Sequence, residues 1–287
     1  MRRHRRRGLI DGGVVVLLSA CGLVVLGLLL GLVGVLVVKG WGAISWEFLT
    51  GAMEQGGAEG GIFWHAVGTV ILMVSAWGLC APSALALALL QQVWWKGTRR
   101  GECMRTLFYT LNGVPSIVFG LFGFMVFVQW FGWGKSWLAG GIALAMSMLP
   151  TVTLALMERM QAIPAKYLEA AAGLGLNRAQ VVWSVILPQS VGGLVTGSLL
   201  GVARAAGETA PIMFTATIFA GVTWPTAVKE SPVLSLPYHI FVLAQDSFDP
   251  AVGSNLWGAA LVLLGMVFAL SLLALPWRLK MHEEFHD

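Results

Sequence analysis

Long runs of apolar residues, separated by short polar segments, make up most of the sequence. Six of these runs reach the length of about 20 residues that a helix needs to cross a bilayer. They cover residues 14–38, 62–90, 106–130, 137–157, 190–220 and 252–277. The sequence lacks the alternation of polar and apolar residues that marks a transmembrane β-barrel, and helices satisfy their own backbone groups in lipid. The pattern therefore predicts an all-α integral membrane protein with six transmembrane helices.

The composition supports a membrane protein rather than a soluble domain. Hydrophobic residues make up 57% of the chain and charged residues only 11%, whereas a soluble domain carries about 25% charged residues. The mean hydropathy is +0.79. We therefore expect the lipid bilayer to surround most of the helices.

The placement of basic residues predicts the orientation of the chain. The sequence begins with MRRHRRRG, and a basic segment before the first span favours a cytoplasmic N-terminus. If the spans alternate in direction, residues 91–105, 158–189 and 278–287 lie on the same side, and with the N-terminus they hold fourteen of the eighteen Lys and Arg residues. The predicted exported side carries three: Lys39, Lys135 and Lys229. Both termini are therefore predicted to be cytoplasmic, and the net charge of +4 reflects topology rather than nucleic-acid binding.

Two features of the sequence resemble other kinds of site without meeting their requirements. Cys21, Cys80 and Cys103 fall within the membrane or on its predicted cytoplasmic side, which favours neither a disulfide nor a metal site. The segment GWGKSW contains the Gly-Lys-Ser of a P-loop, but Gln129 stands where the first glycine of that loop is required. We therefore expect this chain to bind no cofactor, and in particular no ATP.

The segment between the fourth and fifth spans, residues 158–190, is longer than a simple connection. Pro164 is suited to begin a helix, and the helix-prone run after it is expected to stop near Gly173. Asn177 is expected to cap a second short helix that ends at Pro188. The sequence thus predicts two short helices on the cytoplasmic face, with apolar sides suited to docking in a groove of another protein.

The same segment resembles the EAA loop of ABC-importer permeases, whose pattern is E-A-A-x3-G-x9-I-x-L-P. Six positions match this pattern at the right spacing: Glu169, Ala170, Ala171, Gly175, Leu187 and Pro188. Val185 replaces the usual isoleucine. The resemblance implies that this loop forms the coupling helix, which seats in a cleft of an ATPase subunit. It also implies that the partner ATPase, not this chain, binds ATP and Mg.

Two charges lie within the fifth apolar run, in the stretch VARAAGETAPIMF. At about 100° per residue, Arg204 and Glu208 fall within the same arc of about 80° as Gly193, Gly197 and Gly201. An arginine at the centre of a membrane helix costs about 2.5–3.5 kcal/mol or more. We therefore expect both charges to face the bundle interior or a partner helix rather than lipid.

The charged pair has two interpretations. It is either a structural salt bridge that fixes the helix, or an anion-binding site on a transport path, because a guanidinium presents a planar fork of donors that fits an oxyanion. In the second case Glu208 holds Arg204 until the anion arrives. Ser116 and Thr209 are further candidate donors on this pathway, although such hydroxyls more often bond the carbonyls of their own helix.

A second resemblance involves three stretches: ARAAGETAPIMFTA, VPSIVFGLFG and GGIFWHAVGT. These are similar to the phosphate-specific ABC permeases, the PstA and PstC pair, and LPYHIF is more similar to PstA. The likeness covers about residues 60–280 and implies a type I importer (MetI-like) fold with cytoplasmic coupling helices. It implies a PstC-type permease, a PstB-type ATPase dimer and a PstS-type periplasmic phosphate-binding protein as partners, in a bacterial inner membrane.

Other functions stay open at the level of sequence. A permease for sulfate or molybdate shares the EAA loop and differs at RAAGETAP, and this chain is alternatively the PstC-type partner. The EAA loop speaks against a secondary transporter or channel subunit, which works without an ATPase. A purely structural membrane subunit predicts that a change of Arg204 leaves transport intact.

Three regions are predicted along the chain. Residues 1–60 form the basic terminus, the first span and the first exported loop. Residues 61–280 form the permease core with its EAA loop, and residues 281–287 form a cytoplasmic tail.

Overall fold

The computed structural model describes residues 2–222, 224–245 and 249–283. The last four residues of the predicted tail, 284–287, and part of the predicted loop 221–251 lie outside the described residues. The α-helices are α1 (Arg2–Gly40), α2 (Trp46–Thr50), α3 (Phe63–Leu89), α4 (Arg99–Asn112), α5 (Ser116–Gly123), α6 (Trp137–Gln161), α7 (Ala165–Gly173), α8 (Arg178–Val181), α9 (Leu187–Gly207), α10 (Ala210–Thr215), α11 (Leu236–Leu243) and α12 (Pro250–Glu283). A small antiparallel hairpin of β1 (Met53–Glu54) and β2 (Glu59–Gly60) precedes α3.

The prediction of a helical, multi-pass membrane protein is confirmed. Within the described residues, five helical segments are long and apolar enough to cross a membrane: Gly13–Ala43, Phe63–Trp94, Trp137–Gln161, Arg178–Gly207 and Val252–Leu273. A sixth candidate is the pair Arg99–Asn112 and Ser116–Trp130, whose axes are bent by 96°. The bent pair corresponds to the third predicted span.

The third predicted span, residues 106–130, is not a single straight helix, because it breaks before Pro115. Pro115 has no amide hydrogen and disfavours helical geometry at the residue before it. The last turn of α4 closes with short-range bonds, from the Gly113 amide to Thr110 O at 3.1 Å and from the Val114 amide to Leu111 O at 3.1 Å. Pro115 is extended, with ψ at 135°, and α5 begins at the next residue.

The fifth span differs from its prediction at its beginning. The expected end of a short helix at Pro188 is wrong, since helical structure runs without interruption over Arg178–Gly207. The turns at Val182–Ile186 are π-helical, which widens the helix directly before the proline. Pro188 then occupies the first turn of α9, where its missing amide hydrogen costs little.

The fifth span also ends earlier than residue 220. Helix α9 stops at Gly207, and Glu208 is extended with φ −77° and ψ 118°. Pro211 in the first turn of α10 explains the break, because a proline clashes with the carbonyl four residues before it. Glu208 is therefore the first residue after the helix that carries Arg204, and it does not have the position that a continued helix would give it.

The glycine stripe of α9 packs directly on α6, the most buried span. A Cβ atom added at Gly193 would lie 2.6 Å from Arg159 Cβ, and one added at Gly201 would lie 2.8 Å from Val152 Cγ2. Such small residues allow two helix backbones to approach closely in a membrane. This contact sets the distance between the helices that carry Thr151 and Arg204.

A bulky residue at this contact is expected to destabilise the protein. Gly201→Leu forces a side chain against Val152 and Met148, and overpacking of this kind costs about 1–3 kcal/mol. Gly78→Leu is the matched control, because nothing lies within 4 Å of a Cβ atom at Gly78 of α3. Unfolding by SDS in mixed micelles measures both changes. Equal stability of the two variants would contradict the close packing of α9 on α6.

Candidate functional site

Arg204 lies in the last turn of α9 and forms the predicted pair with Glu208. Its Nε donates to Glu208 Oε1 at 3.2 Å. The side of α9 that carries Arg204 is the side of the glycine stripe, because Arg204 also reaches Thr151 of α6. The prediction that the charged pair faces a neighbouring helix is therefore supported by these contacts, although Glu208 reaches Arg204 from an extended residue.

Two further side chains bind the guanidinium, and neither was predicted. Arg204 Nη1 donates to Asn112 Oδ1 at 3.3 Å and to Thr151 Oγ1 at 3.4 Å. Thr151 Oγ1 itself donates to Asn112 Oδ1 at 2.8 Å. Asn112 is the last residue of α4, so the 96° bend places it here. The four side chains form one polar cluster, defined here as Arg204, Glu208, Asn112 and Thr151.

Part of the guanidinium is free to bind a ligand. Within the described part of the chain, the hydrogen bonds of Arg204 involve Nε and Nη1, and no acceptor binds Nη2. The side chain of Arg204 is 33% exposed and that of Glu208 is 15% exposed. An open charge of this kind is costly in lipid. The open side of the cluster therefore faces either water or a second protein chain.

The two other candidate donors lie at the two helix breaks. Ser116 is the first residue of α5, and Thr209 directly follows Glu208 at the start of α10. Both are half-buried, and the structure records no hydrogen bond from either hydroxyl to Arg204 or Glu208. Both residues are close in sequence to members of the polar cluster, but neither hydroxyl is hydrogen-bonded to Arg204.

The breaks lie beside each other because α5 packs on α10. A Cβ atom added at Gly120 would lie 2.8 Å from Ala210 O and 2.8 Å from Pro211 Cα, so Gly120 allows direct contact of the two backbones. Interrupted helices inside a membrane are tolerated where protein or a water-filled cavity covers them, and they often form the binding sites of transporters. The geometry thus places one charged cluster at a pair of helix breaks.

The residues described contain no group of three or more His, Cys, Asp or Glu side chains arranged to hold a metal ion. Cys21 and Cys103 are exposed, Cys80 is buried, and all three are free thiols.

A second candidate site is the loop between α6 and α9. Helix α7 carries Glu169 and Ala170 on its exposed side and buries Ala171. Gly175 follows with φ at +72°, a left-handed conformation that favours glycine, while Leu176 donates its amide to Ala171 O at 3.1 Å. The glycine of the motif is therefore required by the turn that ends α7.

The remainder of the loop fixes the beginning of α8. Asn177 and Gln180 form a reciprocal capping box, with each side chain bonded at 2.9 Å to the other's backbone amide. Leu187 and Pro188 form the first turn of α9. Leu174 and Trp183 are 79% and 74% exposed. The loop is thus an ordered structure with exposed apolar side chains, which suits the binding of a protein.

Comparison with known proteins places this architecture in a family. Residues 78–276 match the family model described as "Binding-protein-dependent transport system inner membrane component". The probable phosphate transport system permease protein PstA of Methanocaldococcus jannaschii is 35% identical over 225 residues, which are 78% of this chain and 76% of that protein. PstA of Xylella fastidiosa is 29% identical over 271 residues, covering 94% and 92% of the two chains.

Solved structures of transporters share the fold. A chain of the MetNI methionine ABC transporter, in an inward facing conformation, superimposes with a TM-score of 0.61 at 13% identity. The match covers 77% of this chain and 97% of that one. The predicted MetI-like type I importer fold is therefore confirmed.

Proposed function

The chain belongs to the family of binding-protein-dependent transport system inner membrane components, and on that premise we propose that it is the PstA-type permease subunit of an ATP-driven phosphate importer. Members of this family are membrane subunits of transporters rather than enzymes. The observation that carries the proposal is the open guanidinium of Arg204 beside two helix breaks. Similarity to PstA proteins over most of the chain supports phosphate as the substrate.

The polar cluster suits brief binding of an oxyanion. The free Nη2 of Arg204 offers charge-assisted hydrogen bonds to phosphate oxygens, which are stronger than bonds between neutral groups. Glu208 competes with the anion for the same guanidinium, and this competition limits how tightly phosphate is held. Asn112 and Thr151 keep the guanidinium in place while Glu208 releases it. Ser116 and Thr209 are the proposed donors next to this path.

The open side of the cluster supports a heterodimeric permease. A charged group at membrane depth needs a cover other than lipid, and a PstC-type permease facing Arg204 would provide the other half of the pathway. The complex would further contain a PstB-type ATPase dimer, which binds ATP and Mg, and a PstS-type periplasmic phosphate-binding protein. It would reside in the bacterial inner membrane, with both termini of this chain in the cytoplasm.

The loop between α6 and α9 offers a route for coupling. The proposed contact residues for the ATPase are Glu169, Ala170, Ala171, Gly175, Leu187 and Pro188. Helix α6 enters this loop and α9 leaves it, and these two helices carry Thr151 and Arg204. Movement of the loop with the ATPase would therefore displace two walls of the polar cluster relative to each other.

A genetic experiment tests the proposed substrate. Cells that lack this chain are expected to lose uptake of radiolabelled phosphate at low concentration while keeping sulfate and molybdate uptake. Expression of the chain should restore phosphate uptake. Loss of sulfate or molybdate uptake with intact phosphate uptake would assign the permease to another oxyanion, and no change in any uptake would contradict the proposal.

A further inference from the structure

Lys135 makes an unusual connection across the fold. It lies in the turn between residue 130 and α6, and its Nζ donates to Met213 O at 3.0 Å and to Thr217 O at 3.1 Å. The adjacent Ser136 donates its amide to Thr215 O at 3.0 Å. Two consecutive residues of one turn therefore bind three carbonyls, two in the last turn of α10 and one just beyond it.

The chemistry of this contact is that of a charged cap. The last carbonyls of a helix lack partners within the helix, and a cation near them is favourable. Lys135 is half-buried, and this burial lowers the pKa of its ammonium group from the ordinary value. The other lysines of the predicted exported side, Lys39 and Lys229, are exposed. Lys135 therefore gives up part of its hydration for these two bonds.

The turn that carries Lys135 is firmly held. Trp133 O accepts a hydrogen bond from the Glu230 amide at 2.7 Å, and the Trp137 amide donates to Ser231 O at 3.1 Å. The ring of Trp133 stacks on Phe127 with centroids 5.5 Å apart. The turn that carries Lys135 is therefore held in place by backbone hydrogen bonds and ring stacking.

The opposite end of α10 meets the polar cluster. Helix α10 has six residues, a length of about 9 Å. Its first turn is closed by the bond from the Met213 amide to Thr209 O at 3.0 Å, and Thr209 directly follows Glu208. Met213 takes part in bonds at both ends, so one helical turn connects Lys135 to Thr209, the residue that follows Glu208.

We propose that Lys135 is a positioning residue of the transport pathway: by holding the outer end of α10, it fixes Glu208 beside Arg204. The inference rests on the proposed phosphate function for its consequence in transport. Its structural part, the control of α10 by Lys135, does not depend on the substrate.

The first test is transport by the assembled complex in vesicles. Lys135→Met is expected to lower the maximal rate of phosphate uptake about tenfold, as expected for the loss of hydrogen bonds from a charged group. The concentration of binding protein that gives half the maximal rate should not change. Lys135→Arg should restore most of the rate, since arginine also donates to two carbonyls. Lys229→Met is the control, with an exposed charge and no expected effect.

A double variant separates positioning from a general structural defect. If Lys135 acts through Glu208, Lys135→Met combined with Glu208→Gln should transport no more slowly than Glu208→Gln alone. If the fold loss of uptake rate in the double variant equals the product of the losses in the two single variants, the inference would be overturned. Uptake by Lys135→Met equal to that of Lys229→Met would also overturn it.

A distance measurement is independent of the substrate. Spin labels at Gly207 and Ala220, two exposed positions on either side of α10, should give a narrow distance distribution in the wild type and in Lys135→Arg. The distribution should broaden in Lys135→Met, and an unchanged distribution would contradict the inference. A wild-type complex that imports no phosphate would instead contradict the proposed function, and the label distances would still decide the role of Lys135.

Discussion

Replacement of Arg204 by glutamine is expected to lower phosphate uptake about a hundredfold in a complex that still assembles. Glutamine keeps a polar side chain at the end of α9 but removes the charge and the free Nη2. Hydrogen bonds to a charged group contribute about 1.5–3 kcal/mol each, and 1.4 kcal/mol corresponds to a factor of about ten. Uptake of labelled phosphate by vesicles that contain the complete complex measures the loss.

The matched control is Arg105→Gln. Arg105 is an exposed arginine of α4, two helical turns before Asn112, and its guanidinium lies over the ring of Tyr109. Its replacement removes the same charge from the chain and should leave uptake unchanged. A complex that falls apart after Arg204→Gln, but not after Arg105→Gln, would show that the pair with Glu208 is a structural salt bridge.

The second large effect is expected for Glu169→Lys, which should abolish co-purification of the ATPase subunit while the chain still inserts into the membrane. Glu169 is exposed on α7, and its carboxylate has no hydrogen bond or ion pair within the described residues. Reversal of its charge therefore acts on a partner rather than on the fold. Retained binding of the ATPase together with normal transport would remove the coupling role from α7.

Glu54→Lys is the control for this experiment. Glu54 is an exposed carboxylate of the small hairpin on the predicted exported side, where an ATPase has no access. The same charge reversal at Glu54 should leave ATPase binding intact. If both variants lose the ATPase, the loss reflects net charge or misfolding instead of a specific contact.

Local chemistry explains why parts of this structure follow from the sequence. Apolar runs predict spans because lipid offers no partner to the backbone. The contact between Arg204 and Glu208 is local in the chain, and the capping role of Asn177 is local as well, so spacing alone was sufficient to predict both.

Long-range contacts and helix interruptions were harder to predict. Asn112 and Thr151 reach Arg204 from 92 and 53 residues away, and nothing in the local pattern of either residue points to an arginine. Asn112 does lie directly before a glycine and close to Pro115, and this position was the available signal for a polar residue at a helix break. The sequence predicts a helix end at Pro188 because periodicity carries no information on the preceding π-helical turns.

We propose that this chain forms half of an ATP-driven phosphate pathway with Arg204 at its binding site. The most direct test is ATP-dependent uptake of labelled phosphate by vesicles containing the full complex, with sulfate and molybdate as competitors, for the wild type and Arg204→Gln. We predict that only phosphate and its close analogues compete with the labelled phosphate for uptake. We also predict that Arg204→Gln abolishes this uptake. Uptake that survives the substitution, or that sulfate or molybdate suppresses as well as phosphate does, would contradict the proposal.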